Sequence, residues 1–494
     1  MLIKKIKIIK NTIIYSASNY IVIFFGFFIS ILSKKILGVE GSGQWAILTI
    51  FLSYGLIFGS LGIEIAITRE IPQAKGRGEH LDIEQMINTG FTFTFIIGLL
   101  ISIFYIFVSN YFVKDLMIKK GLVLTTALMV VTLLYNLNLS ILRGKKFITA
   151  LSQIMIINIL LVGVFPLTLA YFYGVIGYVL GTTISTFLSF FISRKIGLIN
   201  YKWMFDIRKA IKLIIIGFPM LIAGVLQNTF LGLDKIIIGS MLGTSALGLY
   251  TIALMSTQQL TSLPRFFQTV LFPYVQEDYG KNRSIEDLRP YFIKSMYIIS
   301  RLLPFIIGLI IFFIPVIVLH FLPKFKDGLM AMQILVCGFY FAVISETSGM
   351  FIYTINKQRV LPFLYGIMLA LSAGLNYFAI LKGWGISGVA LASSIAYFIF
   401  FIIESAYAYL HLMKVKEMIT YFARLIVTYF YILLVIIAIN RTVIIKNEIS
   451  QLTCRLSLFC LFYLPIFIIV EKRESLFSAV AGIVSGYFRK KKLR

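Results

Sequence analysis

The sequence is poor in charged residues and in the side chains from which catalytic and metal sites are usually built. Only 13% of the 494 residues are Asp, Glu, Lys or Arg, against about 25% in a soluble domain, and the mean hydropathy is +0.94. The three histidines are scattered, and the three cysteines lie within apolar runs, so neither a metal site nor a disulfide framework is expected. No Gly-x-x-x-x-Gly-Lys-Ser/Thr or His-Glu-x-x-His motif occurs. These absences exclude a water-soluble enzyme and a pump with its own nucleotide site, and no cofactor is expected.

The charge that is present is strongly positive and unevenly placed. The formal net charge is +26, which in a soluble protein would suggest a nucleic-acid partner. Here the Lys and Arg residues form short clusters between long apolar runs, which is the pattern of a protein that crosses a membrane many times. No nucleic-acid partner is therefore expected.

Fourteen apolar runs are long enough to cross a bilayer as helices, because about 20 residues at 1.5 Å each span about 30 Å. The first run follows MLIKKIKIIK and is too long for a signal-peptide core, so it is interpreted as an uncleaved span. The predicted spans are 12–33, 44–68, 85–109, 120–142, 148–172, 174–193, 211–232, 236–260, 292–320, 328–355, 359–381, 386–411, 419–439 and 451–470.

The distribution of Lys and Arg predicts the orientation of these spans. With the N-terminus inside, the inner ends and loops carry about three times as many Lys and Arg residues as the outer ones. Both termini are therefore expected in the cytoplasm, at the cell membrane. The longest connections, 194–212 and 264–291, would be cytoplasmic, and the tail 476–488 has an apolar helical face suited to the inner interface.

An internal repeat joins the two halves of the sequence. LGVEGSGQWAI begins at Leu37 and matches LGTSALGLYTI, which begins at Leu242. Both read Leu-Gly, four residues, Gly, one residue, an aromatic residue, one residue, Ile. A second pair, YGVIG from Tyr173 and WGISG from Trp384, follows in the same order. Because Gly38 lies between spans 1 and 2, the match places a turn at Gly243 and moves spans 7 and 8 to about 213–240 and 248–268.

The repeat predicts the architecture. Six spans separate the copies, so both halves enter the membrane in the same orientation. The expected fold is an all-α integral membrane protein of about 14 helices, with two parallel six-helix bundles around a central cavity and two extra C-terminal helices. The predicted parts are 1–200 and 201–415 for the bundles, 416–472 for helices 13 and 14, and 473–494 for a basic interfacial tail.

Charged residues inside predicted spans are the candidate functional groups, because each costs about 2.5–3.5 kcal/mol to insert. They either pair between helices, reach the surface, or face a hydrated cavity. The candidate cations for an anionic substrate are Arg301, Arg69 and Lys235. The acids that would tune the cavity charge or carry a coupling ion are Glu346, Asp234, Glu64 and Glu404. Glu64 and Arg69 are five residues apart and are not expected to pair with each other.

Other residues in the spans carry structural expectations. Pro219 in Gly217-Phe-Pro219 removes a backbone hydrogen bond and is the best candidate hinge for rocking between states. Gly55, Gly59 and Gly62 permit close helix packing. Lys34 and Lys35, at the outer end of span 1, are expected to be anchors at the membrane interface.

Several motifs resemble those of the polysaccharide biosynthesis flippases. They are the Leu-Gly…Gly-x-aromatic turn after span 1, Leu61-Gly62-Ile63 with Arg69 after it, and Pro219 followed by DKIIIG from Asp234 and LGLY from Leu247. The resemblance spans nearly the whole chain. This family belongs to one superfamily with the multidrug and toxin extrusion transporters and the lipid II flippase, and its members have twelve to fourteen spans.

The resemblance implies a function. These flippases move undecaprenyl-diphosphate-linked repeat units of O-antigen, capsule or exopolysaccharide across the membrane, through a cationic lumen for diphosphate and sugar. Arg301 and Arg69 are the positions carried over to substrate binding. The implied partners are the lipid-linked oligosaccharide, membrane lipid, a proton or sodium gradient and a polysaccharide polymerase.

Three other functions compete with this one. A cation-coupled drug exporter of the same fold would favour an acidic cavity, whereas Arg301 favours anionic cargo. A lipid II flippase differs only in its substrate. A membrane-embedded ligase or polymerase would need an outer catalytic loop, and the outer loops are too short to hold one.

Overall fold

The structure is a computed structural model that describes residues 2–77, 80–261, 285–355, 357, 359–445 and 447–474. Within these residues the regular structure is entirely helical, with two short 3-10 helices at Glu286–Leu288 and Pro323–Gly328. The α-helices are α1 Leu2–Ser60, α2 Ile63–Arg77, α3 His80–Phe112, α4 Leu116–Gly144, α5 Ile148–Gly197, α6 Ile207–Met241, α7 Thr244–Leu260, α8 Arg289–Phe321, α9 Leu329–Thr354, α10 Val360–Leu381, α11 Gly385–Tyr409, α12 Val415–Thr442 and α13 Glu448–Glu474.

Nine helical segments among the described residues are long and apolar enough to cross a membrane. They include Ile148–Gly197, which contains two of the predicted spans, and Ala17–Ser60, which covers most of two others. A chain with this many apolar helices is a multi-pass membrane protein, as its composition predicts.

The predicted turns fall on glycines with positive φ. α1 bends at Gly38 (φ 68°) and α5 at Gly174 (φ 58°), so each divides into two helical segments. Gly243 (φ 87°) separates α6 from α7, and Gly385 (φ 58°) stands at the start of α11. Glycine adopts positive φ without the steric cost of a Cβ. The two motif pairs of the repeat therefore mark equivalent turns.

Two predicted span limits are wrong. Span 2 was expected to continue to residue 68, but the helix breaks at Leu61 (φ 44°) and Gly62 (φ 77°) before α2 begins. A Cβ on Gly62 would lie 2.5 Å from the Gly217 carbonyl carbon, so the two backbones touch there. The first limits of span 8, 236–260, also cross a turn, because α6 ends at Met241.

The chain forms two compact units. The first contains Met1–Met255, Phe321–Ala331 and Arg359–Ala392, and the second contains Ser256–His320, Met332–Gln358 and Ser393–Arg494. In the first unit α1 packs along α5, α4 packs against α3 and α5, and α6 packs against α10. In the second unit α12 packs against α13. The predicted bundle boundaries at 200 and 415 stay a prediction.

The connection between α5 and α6, residues 198–206, is held against α3 by backbone hydrogen bonds. The Lys202 amide donates to the Asn88 side-chain oxygen at 3.0 Å, and the Met204 amide donates to the Thr92 hydroxyl at 3.0 Å. These bonds satisfy backbone donors that a free loop would leave to water. We call this segment the strap.

Side chains complete the attachment of the strap. Tyr201 stacks on Phe91 with ring centroids 4.1 Å apart, and burial raises the pKa of the Tyr201 hydroxyl. Asp206 caps α6 by accepting from the Lys209 amide at 3.0 Å, while the Lys209 ammonium donates to Asp82 of α3 at 2.8 Å. The first turn of α6 is therefore fixed to α3.

Candidate functional site

The two copies of the Leu-Gly motif contact each other through their glycines. A Cβ on Gly43 would lie 1.9 Å from the Thr244 carbonyl oxygen, and one on Gly248 would lie 1.9 Å from the Val39 carbonyl oxygen. Val39 and Thr244 are equivalent positions of the repeat, as are Gly43 and Gly248, so the contact is reciprocal. Helix backbones approach this closely only where no side chain intervenes. We call these four residues the glycine contact.

The aromatic residue of the second motif holds a buried acid. Tyr250 is fully buried and donates its hydroxyl proton to Asp234 at 2.6 Å, and Asp234 is only 2% exposed. The other Asp234 oxygen accepts from the Lys235 amide at 2.8 Å, and the Lys235 ammonium also acts on this carboxyl group electrostatically. In the first motif, Trp45 instead packs edge-on against Tyr178 at 4.9 Å.

The candidates near the break after α1 do not pair with each other, in agreement with their spacing. Glu64 lies in the first turn of α2, half-buried, and the cation that acts on it is Arg143 of α4. The Arg69 side chain is 58% exposed and lies 3.9 Å from Glu70. Glu70 is buried, whereas most of the Arg69 side chain is exposed.

Lys34 is not the interface anchor that its position suggests. It is buried, and its ammonium donates to the Ser30 hydroxyl at 3.0 Å, whereas the next residue, Lys35, is exposed. The expectation failed because closeness to a span end does not tell which helical face is covered. The four-residue spacing of Ser30 and Lys34 was the signal that could have indicated a local partner.

In the second unit, Arg301 is enclosed by aromatic side chains. It lies on α8, is 8% exposed, and its guanidinium carbon is 5.0 Å from the Tyr297 ring centroid. The Tyr463 hydroxyl donates to the Arg301 carbonyl oxygen. Its Nε has no hydrogen-bond partner among the described residues. A buried guanidinium donor without an acceptor is costly, and an anionic ligand would satisfy it.

Two acids come together elsewhere in the second unit. Glu404 of α11 is 1% exposed, and neither carboxyl oxygen has a hydrogen-bond partner among the described residues. The neighbouring Ser345 hydroxyl donates instead to the Phe341 carbonyl oxygen at 2.9 Å. Glu346 of α9 is close enough for its charge to act on Glu404. Glu346 is half-buried, whereas Glu404 is enclosed, so the two carboxyl groups differ in their exposure.

The candidates are divided between the units. Asp234, Lys235, Glu64 and Arg69 belong to the first unit, and Arg301, Glu346 and Glu404 to the second.

α6 passes through Pro219 as a continuous helix. The Pro219 side chain lies outside the described residues, so the hinge stays a prediction. Among the described residues, no group of three or more His, Cys, Asp or Glu side chains could hold a metal ion.

A family model described as polysaccharide biosynthesis protein matches residues 33–329, more than half of the chain. The chain belongs to the polysaccharide biosynthesis protein family. The match covers the first Leu-Gly motif, the glycine contact and Asp234. No curated protein matches the sequence of this family member.

Solved structures show the fold. A lipid II flippase MurJ in an inward closed conformation is similar with a TM-score of 0.74 and 18% identity, over 93% of this chain and 99% of that one. An inward-facing multidrug resistance MATE transporter of the MOP superfamily has a TM-score of 0.66 and 15% identity, over 77% and 93%. A MOP superfamily transporter from Pyrococcus furiosus, whose binding pocket is described as reversed in polarity, has a TM-score of 0.62 and 15% identity, over 81% and 95%. This member of the polysaccharide biosynthesis family therefore has the MOP-type membrane fold.

Proposed function

We propose that the protein is a flippase that moves undecaprenyl-diphosphate-linked oligosaccharide repeat units from the cytoplasmic to the outer leaflet for cell-surface polysaccharide assembly. The family match over residues 33–329 carries this proposal, because it joins polysaccharide biosynthesis to a chain with the MOP-type fold. A polar head group cannot cross hydrocarbon unaided, since its unsatisfied hydrogen bonds cost several kcal/mol. The protein is a transporter in this proposal and not an enzyme.

The glycine contact supplies the gate in this mechanism. The orientation from Lys and Arg places Gly38 and Gly243 at the outer face, so the contact between Gly43 and Gly248 closes the path to the outside. Separation of the two motifs opens it, by the alternating movement of two halves. The lipid tail stays in the bilayer while the polar head passes between the helices.

Each candidate residue has a place in this mechanism. The cations bind the diphosphate and acidic sugars, with Arg301 offering the buried Nε donor. The acids set the charge of the path or carry a proton or sodium ion that couples the cycle to the membrane gradient. Pro219 lets α6 bend. The cations are Arg301, Arg69 and Lys235, and the acids are Asp234, Glu64, Glu346 and Glu404.

The setting of the protein follows from the same proposal. Both termini lie in the cytoplasm, the chain resides in the cell membrane, and a polysaccharide polymerase outside receives the flipped units. O-antigen, capsule and exopolysaccharide pathways all fit this chemistry. Lipid II transport and cation-coupled drug export are the alternatives. The buried Arg301 favours an anionic substrate over a cationic drug.

A transport assay in vesicles that contain the purified protein distinguishes the three candidate functions by their substrates. Vesicles containing the purified protein receive a fluorescent undecaprenyl-diphosphate oligosaccharide, lipid II or a cationic dye, and a membrane-impermeant quencher reports which leaflet or compartment each occupies. We expect protein-dependent translocation of the oligosaccharide lipid, with Arg301→Ala as the inactive control. Translocation of lipid II alone would move the function to that substrate, and dye transport alone would make the protein a drug exporter.

A further inference from the structure

An open cavity of about 600 Å³ lies in the second unit, at the connection between α11 and α12. It is lined by Arg289 at the start of α8, the segment 410–415 between α11 and α12, and Glu417. Lys357, from the connection after α9, reaches the same place through His411. The Lys and Arg distribution places the start of α8 and the connections after α9 and α11 on the cytoplasmic side. We call Arg289, Lys357, His411 and Lys414 the basic pocket.

The basic pocket has more positive than negative charge. Arg289 pairs with Glu417 at 3.0 Å, and both side chains are about half exposed. Glu417 is the one acid among the described residues that line the cavity. Lys357 and Lys414 have no carboxylate within 4.0 Å among the described residues. Two cationic side chains at the pocket therefore lack a counter-ion among the residues that the structure describes.

His411 holds Lys357 in position through a fixed tautomer. Its Nδ1 lies 2.9 Å from the Tyr407 carbonyl oxygen, which can only accept, so Nδ1 carries the proton. Its Nε2 is then an acceptor, and it lies 2.8 Å from the Lys357 ammonium. The imidazole orients the lysine and contributes no carboxylate to the pocket. The hydrogen bond therefore restrains the flexible Lys357 side chain at the pocket.

We propose that the basic pocket binds the phosphate group of a lipid at the cytoplasmic surface of the membrane. Arg289 offers a planar fork that matches phosphate oxygens, and Lys357 and Lys414 offer point charges from other directions. A cavity of this volume admits a diphosphate with part of an attached sugar. The assignment of that phosphate to the carrier diphosphate rests on the proposed function. An anionic bilayer lipid has the same chemistry.

The basic pocket and Arg301 are connected by one helix, α8. Arg289 and Arg301 lie on the same helix, α8, and twelve residues at 1.5 Å each place them about 18 Å apart along its axis. Arg289 stands at the exposed end and Arg301 within the buried part. The basic pocket is therefore a first contact for the head group, before the buried arginine.

Binding measurements on the full chain in nanodiscs test the pocket. Undecaprenyl diphosphate is titrated into phosphatidylcholine nanodiscs, and retained phosphatidylglycerol is measured separately by native mass spectrometry. We expect Lys357→Met and Arg289→Met each to weaken binding about five- to tenfold, as expected for the loss of one charged contact to phosphate. Lys416→Met is the matched control, because Lys416 is exposed but does not line the cavity; it should change binding less than twofold.

Two further variants test the roles of single residues. Glu417→Gln releases Arg289 from its carboxylate and should strengthen binding about two- to fivefold, because the acid competes with phosphate for the guanidinium. His411→Gln keeps an oxygen acceptor for Lys357 and should preserve binding, whereas His411→Phe should weaken it as Lys357→Met does. This rescue identifies His411 as a positioning residue. Weaker binding by Glu417→Gln would contradict the role of Arg289.

The outcomes separate the pocket from the transport function. If the variants lose undecaprenyl diphosphate, the pocket serves the carrier lipid; if they lose only phosphatidylglycerol, it is a phosphate site for bilayer lipid. Unchanged binding of both lipids by Lys357→Met and Arg289→Met would overturn the proposal. A wild-type protein that binds lipid phosphate through the pocket but flips nothing in vesicles would overturn the proposed function and leave the pocket in place.

Discussion

Alanine at either glycine of the glycine contact should force the two motifs apart. In Gly248→Ala the new methyl group would lie 1.9 Å from the Val39 carbonyl oxygen. Packed carbon–oxygen contacts are about 3.3 Å or longer, so the backbones must separate by about 1.4 Å. Overpacking of this kind costs about 1–3 kcal/mol, which lowers the population of the closed contact about 5- to 150-fold relative to the open one. Gly43→Ala, against the Thr244 carbonyl oxygen, should act in the same way.

Spin labels measure this separation directly. Glu40 and Ser245 are equivalent positions of the repeat and both are exposed, so a label at each reports the distance between the motifs. The three native cysteines are first replaced by serine. We expect both alanine variants to shift the distance distribution to longer values and to reduce polysaccharide export, because a gate that cannot close stalls the cycle. Gly232→Ala is the matched control, since nothing lies within 4 Å of an added Cβ there. Unchanged distances in both gate variants would refute the reasoning.

Three further predictions concern topology, substrate binding and stability. Cysteines at Lys202 and Lys326, both exposed, should react with an impermeant maleimide from opposite sides of the membrane; reaction from one side would contradict the orientation. Arg301→Ala should stop surface polysaccharide at unchanged protein level, and Arg301→Lys should restore part of it, because lysine keeps the charge and loses the planar fork; normal export by the alanine variant would remove Arg301 from the substrate path. Tyr250→Phe should lower the free energy of unfolding by about 1–3 kcal/mol, because it leaves the buried Asp234 oxygen without its hydroxyl donor. Thermal unfolding in detergent measures this, and an unchanged melting temperature would show that the hydrogen bond contributes nothing.

The turns of the fold could be predicted from the sequence because glycine adopts positive φ without the steric cost of a Cβ. Gly38, Gly174 and Gly243 each adopt positive φ. Hydropathy alone predicted a span that included Gly243, and the repeat corrected this by placing a turn there. The break at Gly62 was not predicted, since its cause is the Gly217 backbone, more than 150 residues away in the sequence. Periodicity reports a helix but not its distant neighbours.

The side chains that surround the candidate charges could not be predicted from the sequence either, because they come from distant parts of the chain. A charge inside an apolar run predicts that something must compensate it, but not what. Arg301 is 162 residues from Tyr463, which donates to its carbonyl oxygen. Tyr250 was recognised as a motif aromatic, yet its hydroxyl contact with Asp234 depends on how α6 and α7 meet after Gly243.

The strap changes how this chain could be divided into fragments. A long connection between repeats is usually treated as a tether, whose only effect is the local concentration of the two parts. Here Lys202 and Met204 are bound to α3 through their backbones, and Lys209 is bound to Asp82. Co-expressed halves cut just before residue 198 would leave the strap on the second fragment, where its backbone donors form a ready dock for α3 of the first. Reassembly would then be directed by specific hydrogen bonds as well as by apolar packing in the bilayer.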